Sequence, residues 1–395
     1  MKGIVCSDFD LGNSFRHMSS RDAFLYEEDQ IEHFNQFVSK CLQIKPDIIF
    51  IVGNLFGNSK PRNIAIENVK SGLNKLAEEG MKLVIIPGAH DIPLPFTNDI
   101  SVHFIFENRN IKFLYNTEEA KQLKIEEPIY QARMGDVKIN LFTTPSPLIK
   151  PTNMEIDLKI EPGSLNVFLM PDITSFKKDI EEIFSILLEK LNQFELDALF
   201  LGGNYPEIPE LSECKFKIID CPQIHQNNFK FDQKEHGMRL IEFTRNTIDQ
   251  TDHINSISEF NMINEIFDVS NLNAKDINER IYNSIKVNSN PSKNIMRLTL
   301  IGKLEKERYH NLKLFQYSEM GKRLNYYFEL LDRIEFENSS QEIQGLDVKK
   351  ELEDFITMKK KSETQKIVSE GMEFDINNIY NKSLDLIKEN WDIDG

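Results

Sequence analysis

The sequence predicts an α/β protein: a four-layer α/β/β/α sandwich, then a smaller α+β unit and terminal helices. Short apolar runs of strand length recur as far as about residue 245. Segments with apolar residues at three- and four-residue spacing lie between them, which is the helical period. Several of the strand runs end in glycine, asparagine or aspartate, the residues that turn a chain out of a sheet. Alternation of this kind packs as helices on sheets.

Taken in order, residues 3–6 (Gly-Ile-Val-Cys) form a buried strand that ends in Ser7-Asp8-Phe9-Asp10-Leu11-Gly12. A helix is expected over 27–43. Residues 47–52 form the second strand, ending in Gly53-Asn54-Leu55-Phe56, and 63–79 the second helix. The third strand, 82–87, ends in Gly88-Ala89-His90-Asp91. Further on, 166–170 leads to Pro171-Asp172, a helix is expected over 176–194, and 198–201 leads to Gly202-Gly203-Asn204-Tyr205. An apolar run at 239–243 closes the sandwich near Thr251. The expected boundaries are thus 1–251, then 252–337 with a helix over 275–285 and a strand over 296–302, then 338–395, where Asn338-Ser339-Ser340-Gln341 reads as a linker.

As a set, these strand-end motifs resemble the calcineurin-like metallophosphoesterase superfamily, whose versions read D-x-H, G-D and G-N-H-D. They resemble most the SbcD / Mre-eleven branch, the double-strand-break repair nuclease subunit. Leu11-Gly12, Tyr26-Glu27-Glu28-Asp29, Gly53-Asn54-Leu55-Phe56 and Pro61 carry that likeness. The resemblance implies a metallophosphoesterase sandwich, a capping domain over 252–337 and a C-terminal segment that binds an ATPase. In such enzymes two metal ions about 3.5–4 Å apart clamp the attacking and leaving oxygens of a phosphodiester.

Carried over position by position, the resemblance also implies loss. Asp8 stands at the first aspartate, but Asp10 replaces the histidine of D-x-H. Asn54 replaces the aspartate that bridges both metals, and Ala89 the asparagine of G-N-H-D. His90 keeps the residue that acts on the phosphate or leaving group. Pro171 stands where a ligating histidine is expected, and Gly203 and Tyr205 replace the two histidines of G-H-x-H. Hard divalent ions prefer oxygen ligands. Asp8, Asp10, Asn54 and Asp172 would therefore hold at most one weakly bound manganese or magnesium ion. Asp8 and Asp10 have a second reading, as acceptors for loop amides, and Asp91 as the residue that orients His90 or holds its turn.

With 63 acidic against 47 basic residues, the net charge of −16 excludes coating naked nucleic acid by bulk electrostatics. It leaves a local DNA-binding patch open. Lys349-Lys350 and Lys359-Lys360-Lys361 read as solvated helix faces. The four cysteines, Cys6, Cys41, Cys214 and Cys221, lack zinc-type spacing. No apolar run reaches the roughly 18 residues of a membrane-spanning helix, and the chain enters a strand at once without a signal peptide. The expectation is an intracellular protein, cytoplasmic or nucleoid-associated.

The functional expectation is a degenerate, catalytically inactive SbcD/Mre-eleven-like subunit, a dimeric scaffold or DNA-end-binding partner of an SMC-like coiled-coil ATPase of the SbcC or Rad-fifty type. Leu352, Phe355, Ile356, Ile379, Leu384, Ile387 and Trp391 lie at helical spacing and would anchor the ATPase; the same residues also suit packing back on the capping domain. The homodimer would use 63–79 and 95–109. Two alternatives stand: a one-metal nuclease using Asp8, Asp10 and His90, and an inactive phosphoesterase-fold subunit of a replication complex.

Overall fold

The computed structural model describes residues 1–15, 18–93, 102–114, 124–144, 155–171, 180–203, 213–224, 229, 236–255 and 260–336. Asp172, Asn204, Tyr205 and all seven tail anchors from Leu352 to Trp391 lie outside the described residues. The chain forms two compact units, one of residues 1–301 with 312–333, the other of 302–311 with 334–395.

Strand β1 (Lys2–Cys6) is buried beyond its first residue. Helix α1 (Ser20–Ile44) starts seven residues before the expected 27, because Ser19 caps it by accepting from the Asp22 amide. An N-cap serine satisfies an amide of the first turn and fixes where the helix begins. Lys45 ends it in the left-handed conformation, φ 52°. Strand β2 (Ile48–Val52), helix α2 (Asn63–Glu78) and strand β3 (Lys82–Ile86) follow. A 3-10 turn (Val102–Ile105) precedes β4 (Ile111–Phe113); within the described part of 95–109 it is the only helical element.

Then come β5 (Lys124–Ile125), β6 (Tyr130–Met134), β7 (Val137–Thr143), β8 (Glu155–Ile156), β9 (Leu165–Met170), α3 (Ile180–Leu191), β10 (Ala198–Gly202) and β11 (Lys217–Cys221). Strands β12 (Gly237–Phe243) and β13 (Ile248–Asn255) form a hairpin that runs past Thr251. The remaining elements are β14 (Asn261–Asp268), α4 (Ala274–Val287), β15 (Asn290–Leu304), α5 (Lys306–His310), α6 (Leu314–Leu324) and β16 (Asn325–Phe336).

Six strands make one sheet in the order β13-β12-β1-β2-β3-β4, and five make a second, β11-β10-β9-β7-β6. Both are mixed. The run β1 to β4 is parallel with β12 and β13 antiparallel, and β7, β9, β10 and β11 are parallel with β6 antiparallel. Parallel strands covered on both faces read as continuous apolar runs, which is why Ile48–Val52 and Ala198–Gly202 are buried at every position.

Side chains alternate across each strand, so each sheet feeds two cores. Ile4, Cys6, Ile49, Ile51, Leu83 and Ile85 pack with Phe34, Val38 and Cys41 of α1 and Val69 and Leu73 of α2. The alternate residues Val5, Phe50, Val52 and Val84 pack between the sheets against Leu141, Val167, Leu169 and Phe200. Phe50 and Phe200 meet edge to face, with ring centroids 5.4 Å apart. Behind the second sheet, Phe142, Phe168 and Leu201 pack on Phe184, Leu187 and Leu191 of α3. The layers therefore run helix, sheet, sheet, helix. Phe50→Ala would open the central layer at a cost of about 3–5 kcal/mol.

The third sheet has the order β14-β15-β16; β14, β15 as far as Ile301 and β16 as far as Arg333 belong to the first unit. Glu265 on β14 accepts from Ser284 and Asn288 at the end of α4. An aromatic group ties this sheet to α1: Phe260 lies 5.6 Å from Tyr26 and 4.8 Å from Tyr326 between ring centroids. The Tyr326 hydroxyl donates to Asp29 at 3.1 Å. Burial pushes the phenols of Tyr26 and Tyr326 far above their usual range, so both stay neutral donors. In the second unit, Tyr309 of α5 stacks edge-on against Phe336. Among the described residues no helix is long and apolar enough to cross a membrane.

Candidate functional site

In sheets with parallel strands, function concentrates just beyond the carboxyl ends of those strands. Here the ends of β1, β2 and β3 are neighbours, and they bring Asp8, Asp10, Asn54 and His90 together. Asp8 and Asp10 both adopt positive φ, 42° and 46°, a conformation aspartate tolerates better than most residues. That pair of left-handed turns folds the segment back on the end of β2. The Asp10 amide donates to the Asn54 carbonyl and the Leu11 amide to that of Leu55.

Asp8 is wholly buried and surrounded by donors. Its Oδ1 accepts from the Asn54 backbone amide at 2.8 Å and from Asn54 Nδ2 at 3.2 Å. Its Oδ2 accepts from Gln223 Nε2 at 3.4 Å. The far end of the same asparagine is also engaged, since Asn54 Oδ1 accepts from the His90 amide at 2.9 Å. Flipping the Asn54 amide would set oxygen against the Asp8 carboxylate and NH2 against the His90 N–H, so the orientation is determined. Glycine is required beside this contact. A Cβ on Gly53 would lie 2.3 Å from Asp8 Oδ1, and one on Gly88 would lie 2.0 Å from Asn54 Oδ1.

His90 keeps its ring half exposed, with Nδ1 3.2 Å from Asp10 Oδ1. The neighbouring Asp91 serves the turn. Fully buried, it accepts from the amides of Leu55 and Phe56 after β2 and of Gly88 after β3. His103 Nε2 lies 3.4 Å from Asp91 Oδ1, and its ring stacks on Phe113. Ala89, one residue before His90, offers only a methyl group.

The second sheet reaches the same place. Ser7 Oγ donates to the Cys221 carbonyl and accepts from the Gly203 amide, which ties β1 to the ends of β11 and β10. Gly202 packs so tightly on β2 that a Cβ would lie 1.8 Å from the Val52 carbonyl oxygen. Pro171 is buried just past β9. Burial pushes the thiols of Cys6 and Cys221 well up, with the nearby Asp8 charge adding to the effect, so neither is a thiolate ligand or nucleophile.

Gln223 and His103 were not legible as site residues. Gln223 has one cue: it follows the end of β11 as Asn54 follows that of β2. His103 sits outside every motif.

Among the described residues, the donor set does not fit a pair of divalent ions. Both Asp8 oxygens and Asn54 Oδ1 already accept N–H groups, and a cation between Asp8 and Asn54 would face the amide hydrogens. Among the described residues, no three His, Cys, Asp or Glu side chains are placed to share a metal ion.

Three proteins named DNA double-strand break repair protein Mre11 match part of the chain. The one from Methanococcus maripaludis is 37% identical over 93 residues, 24% of this chain and 24% of that protein. Part of this chain is similar to archaeal Mre11 proteins. The Methanocaldococcus jannaschii protein is 33% identical over 67 residues, 17% of this chain and 18% of its own, and the Methanopyrus kandleri protein 28% over 92, 23% and 19%. The chain thus spans about a quarter or less of the length of each relative it matches. No family model matches.

Proposed function

We propose that this protein is a Mre11-like subunit of a DNA double-strand-break repair assembly, with a phosphoesterase-type sandwich used for binding rather than cutting. The likeness to three archaeal proteins of that name and the order of layers support the class. One observation carries the loss of chemistry: where the resemblance puts a metal-bridging aspartate, Asn54 donates its amide to Asp8. The site then binds no cofactor, or one weak manganese or magnesium ion. Residues 252–337 would act as a capping domain and the tail beyond Ser340 as the contact to a coiled-coil ATPase, with a homodimer presenting DNA ends.

A divergent one-metal nuclease is the rival, and the half-exposed His90 ring beside Asp10 is what favours it. A cleavage assay decides between them. Wild type should cut a DNA duplex with added manganese no faster than background. If it cuts, and Asp8→Ala or His90→Ala abolishes the cutting, the nuclease reading replaces ours. Deleting the residues after Ser340 should abolish co-purification with the ATPase while leaving the rest folded.

A further inference from the structure

We propose that hydrogen bonds within the chain have replaced the structural role of a metal centre at this strand-end cluster. The amides of Asn54 and Gln223 stabilise the Asp8 carboxylate by hydrogen bonding, and Asp10 lies against the His90 ring, so the fold is independent of divalent cations and a single Asn54→Asp change makes it depend on them. The inference rests on the phosphoesterase-type reading of the site and goes beyond it. That reading says what chemistry is lost; this one says what holds three strand ends together without it.

A buried carboxylate persists only when donors or cations surround it. Among the N–H groups that Asp8 accepts from, two belong to residue 54 and one to residue 223, more than two hundred positions away. Asn54 suits this position because it is two-ended. Its NH2 serves Asp8 and its oxygen serves the His90 amide, so one side chain joins the ends of β1, β2 and β3. An aspartate at 54 could still accept from His90, but it would set a second carboxylate oxygen about where Nδ2 now lies, 3.2 Å from Asp8 Oδ1. Two carboxylates that close cannot both stay ionised and unscreened. One takes up a proton, or a cation enters between them and stabilises the native state by mass action. Gln223 offers the same test at the other oxygen of Asp8, where glutamate would replace a donor with an anion.

The measurement is the thermal midpoint of the full chain, once in EDTA and once in millimolar manganese chloride. Wild type should melt at the same temperature in both, within about 1 °C. Asn54→Asp should melt several degrees lower in EDTA and recover most of that loss in manganese. Gln223→Glu should follow the same pattern, and it decides the matter if Asn54→Asp does not fold. Wild type stabilised by manganese overturns the proposal. So does a variant as stable as wild type in EDTA, or one lowered in EDTA that manganese does not raise. The functional reading fails separately: wild type that cuts DNA without a manganese shift overturns that reading alone, and wild type stabilised by manganese yet unable to cut overturns this one alone.

Discussion

Replacing Asp91 with alanine tests how the turn after β3 is held. The carboxylate of Asp91 is fully buried and accepts three backbone N–H groups, from Leu55 at 2.9 Å, Phe56 at 2.8 Å and Gly88 at 3.1 Å. Alanine removes every acceptor at once and leaves three amides in a site with no exposed side. Each unsatisfied buried amide costs about 1–3 kcal/mol. Part of this is offset, because the carboxylate itself no longer has to be kept out of water. A net loss of about 3–5 kcal/mol is expected, a large fraction of the roughly 5–15 kcal/mol that holds a domain folded. With a urea slope of about 3 kcal/mol per molar, the midpoint should fall by roughly 1–1.7 M. Circular dichroism is the suitable probe, since the single tryptophan, Trp391, lies in the tail. Asp91→Asn should fall between, because its one oxygen can still serve Leu55 and Gly88 while its NH2 opposes the Phe56 amide. An alanine variant within about 1 kcal/mol of wild type, or an asparagine variant equal to it, would refute the account.

Other outcomes follow from the same structure. Burial, with the neighbouring His253 second, holds the His236 imidazole below its usual 6.5. The unfolded chain therefore binds more protons there than the folded one, and stability should fall as pH drops below 6.5; thermal midpoints from pH 7 to 5 check this, with His236→Gln expected to flatten the slope. Gly202→Ala should prevent folding, because its Cβ meets the backbone oxygen of Val52 at 1.8 Å; recovery of soluble, cooperatively melting protein would contradict it. Removing the Tyr326 hydroxyl by Tyr326→Phe should cost about 0.5–1.5 kcal/mol through the lost bond to Asp29, read by urea titration. Alkylation of the native protein should modify Cys214 before the buried Cys6, Cys41 and Cys221, with peptide mass spectrometry reporting the order.

Legibility in the sequence followed how local each cause was. Strands such as Ile48–Val52 and Ala198–Gly202 are apolar throughout because both their faces are covered, and helix α2 begins at the expected residue. The start of α1 lies outside the periodic stretch because its first turns, Ser-Arg-Asp-Ala-Phe, carry little apolar periodicity; its signal is the serine cap at position 19. Strand β15 runs to 15 residues and begins before its apolar stretch; its pairing with β14 starts at Asn294, two residues ahead of the expected strand. At the site, strand-end turns announce Asp8, Asn54 and His90. Their bonding could not be read, because it depends on which way the Asn54 amide faces and on Gln223, which comes from the other sheet.

Helix α1 has a mechanical consequence. Gln30 holds the first strand-end loop from both sides, accepting from the Gly12 amide and donating to the Asn13 carbonyl. One residue earlier Asp29 is bonded to Tyr326 of the third sheet, and one turn earlier Tyr26 packs on Phe260. A single turn of one helix therefore grips the loop carrying Asp10 with one hand and the third sheet with the other. A displacement of that sheet would therefore be felt at the loop carrying Asp10, which reaches His90 at 3.2 Å.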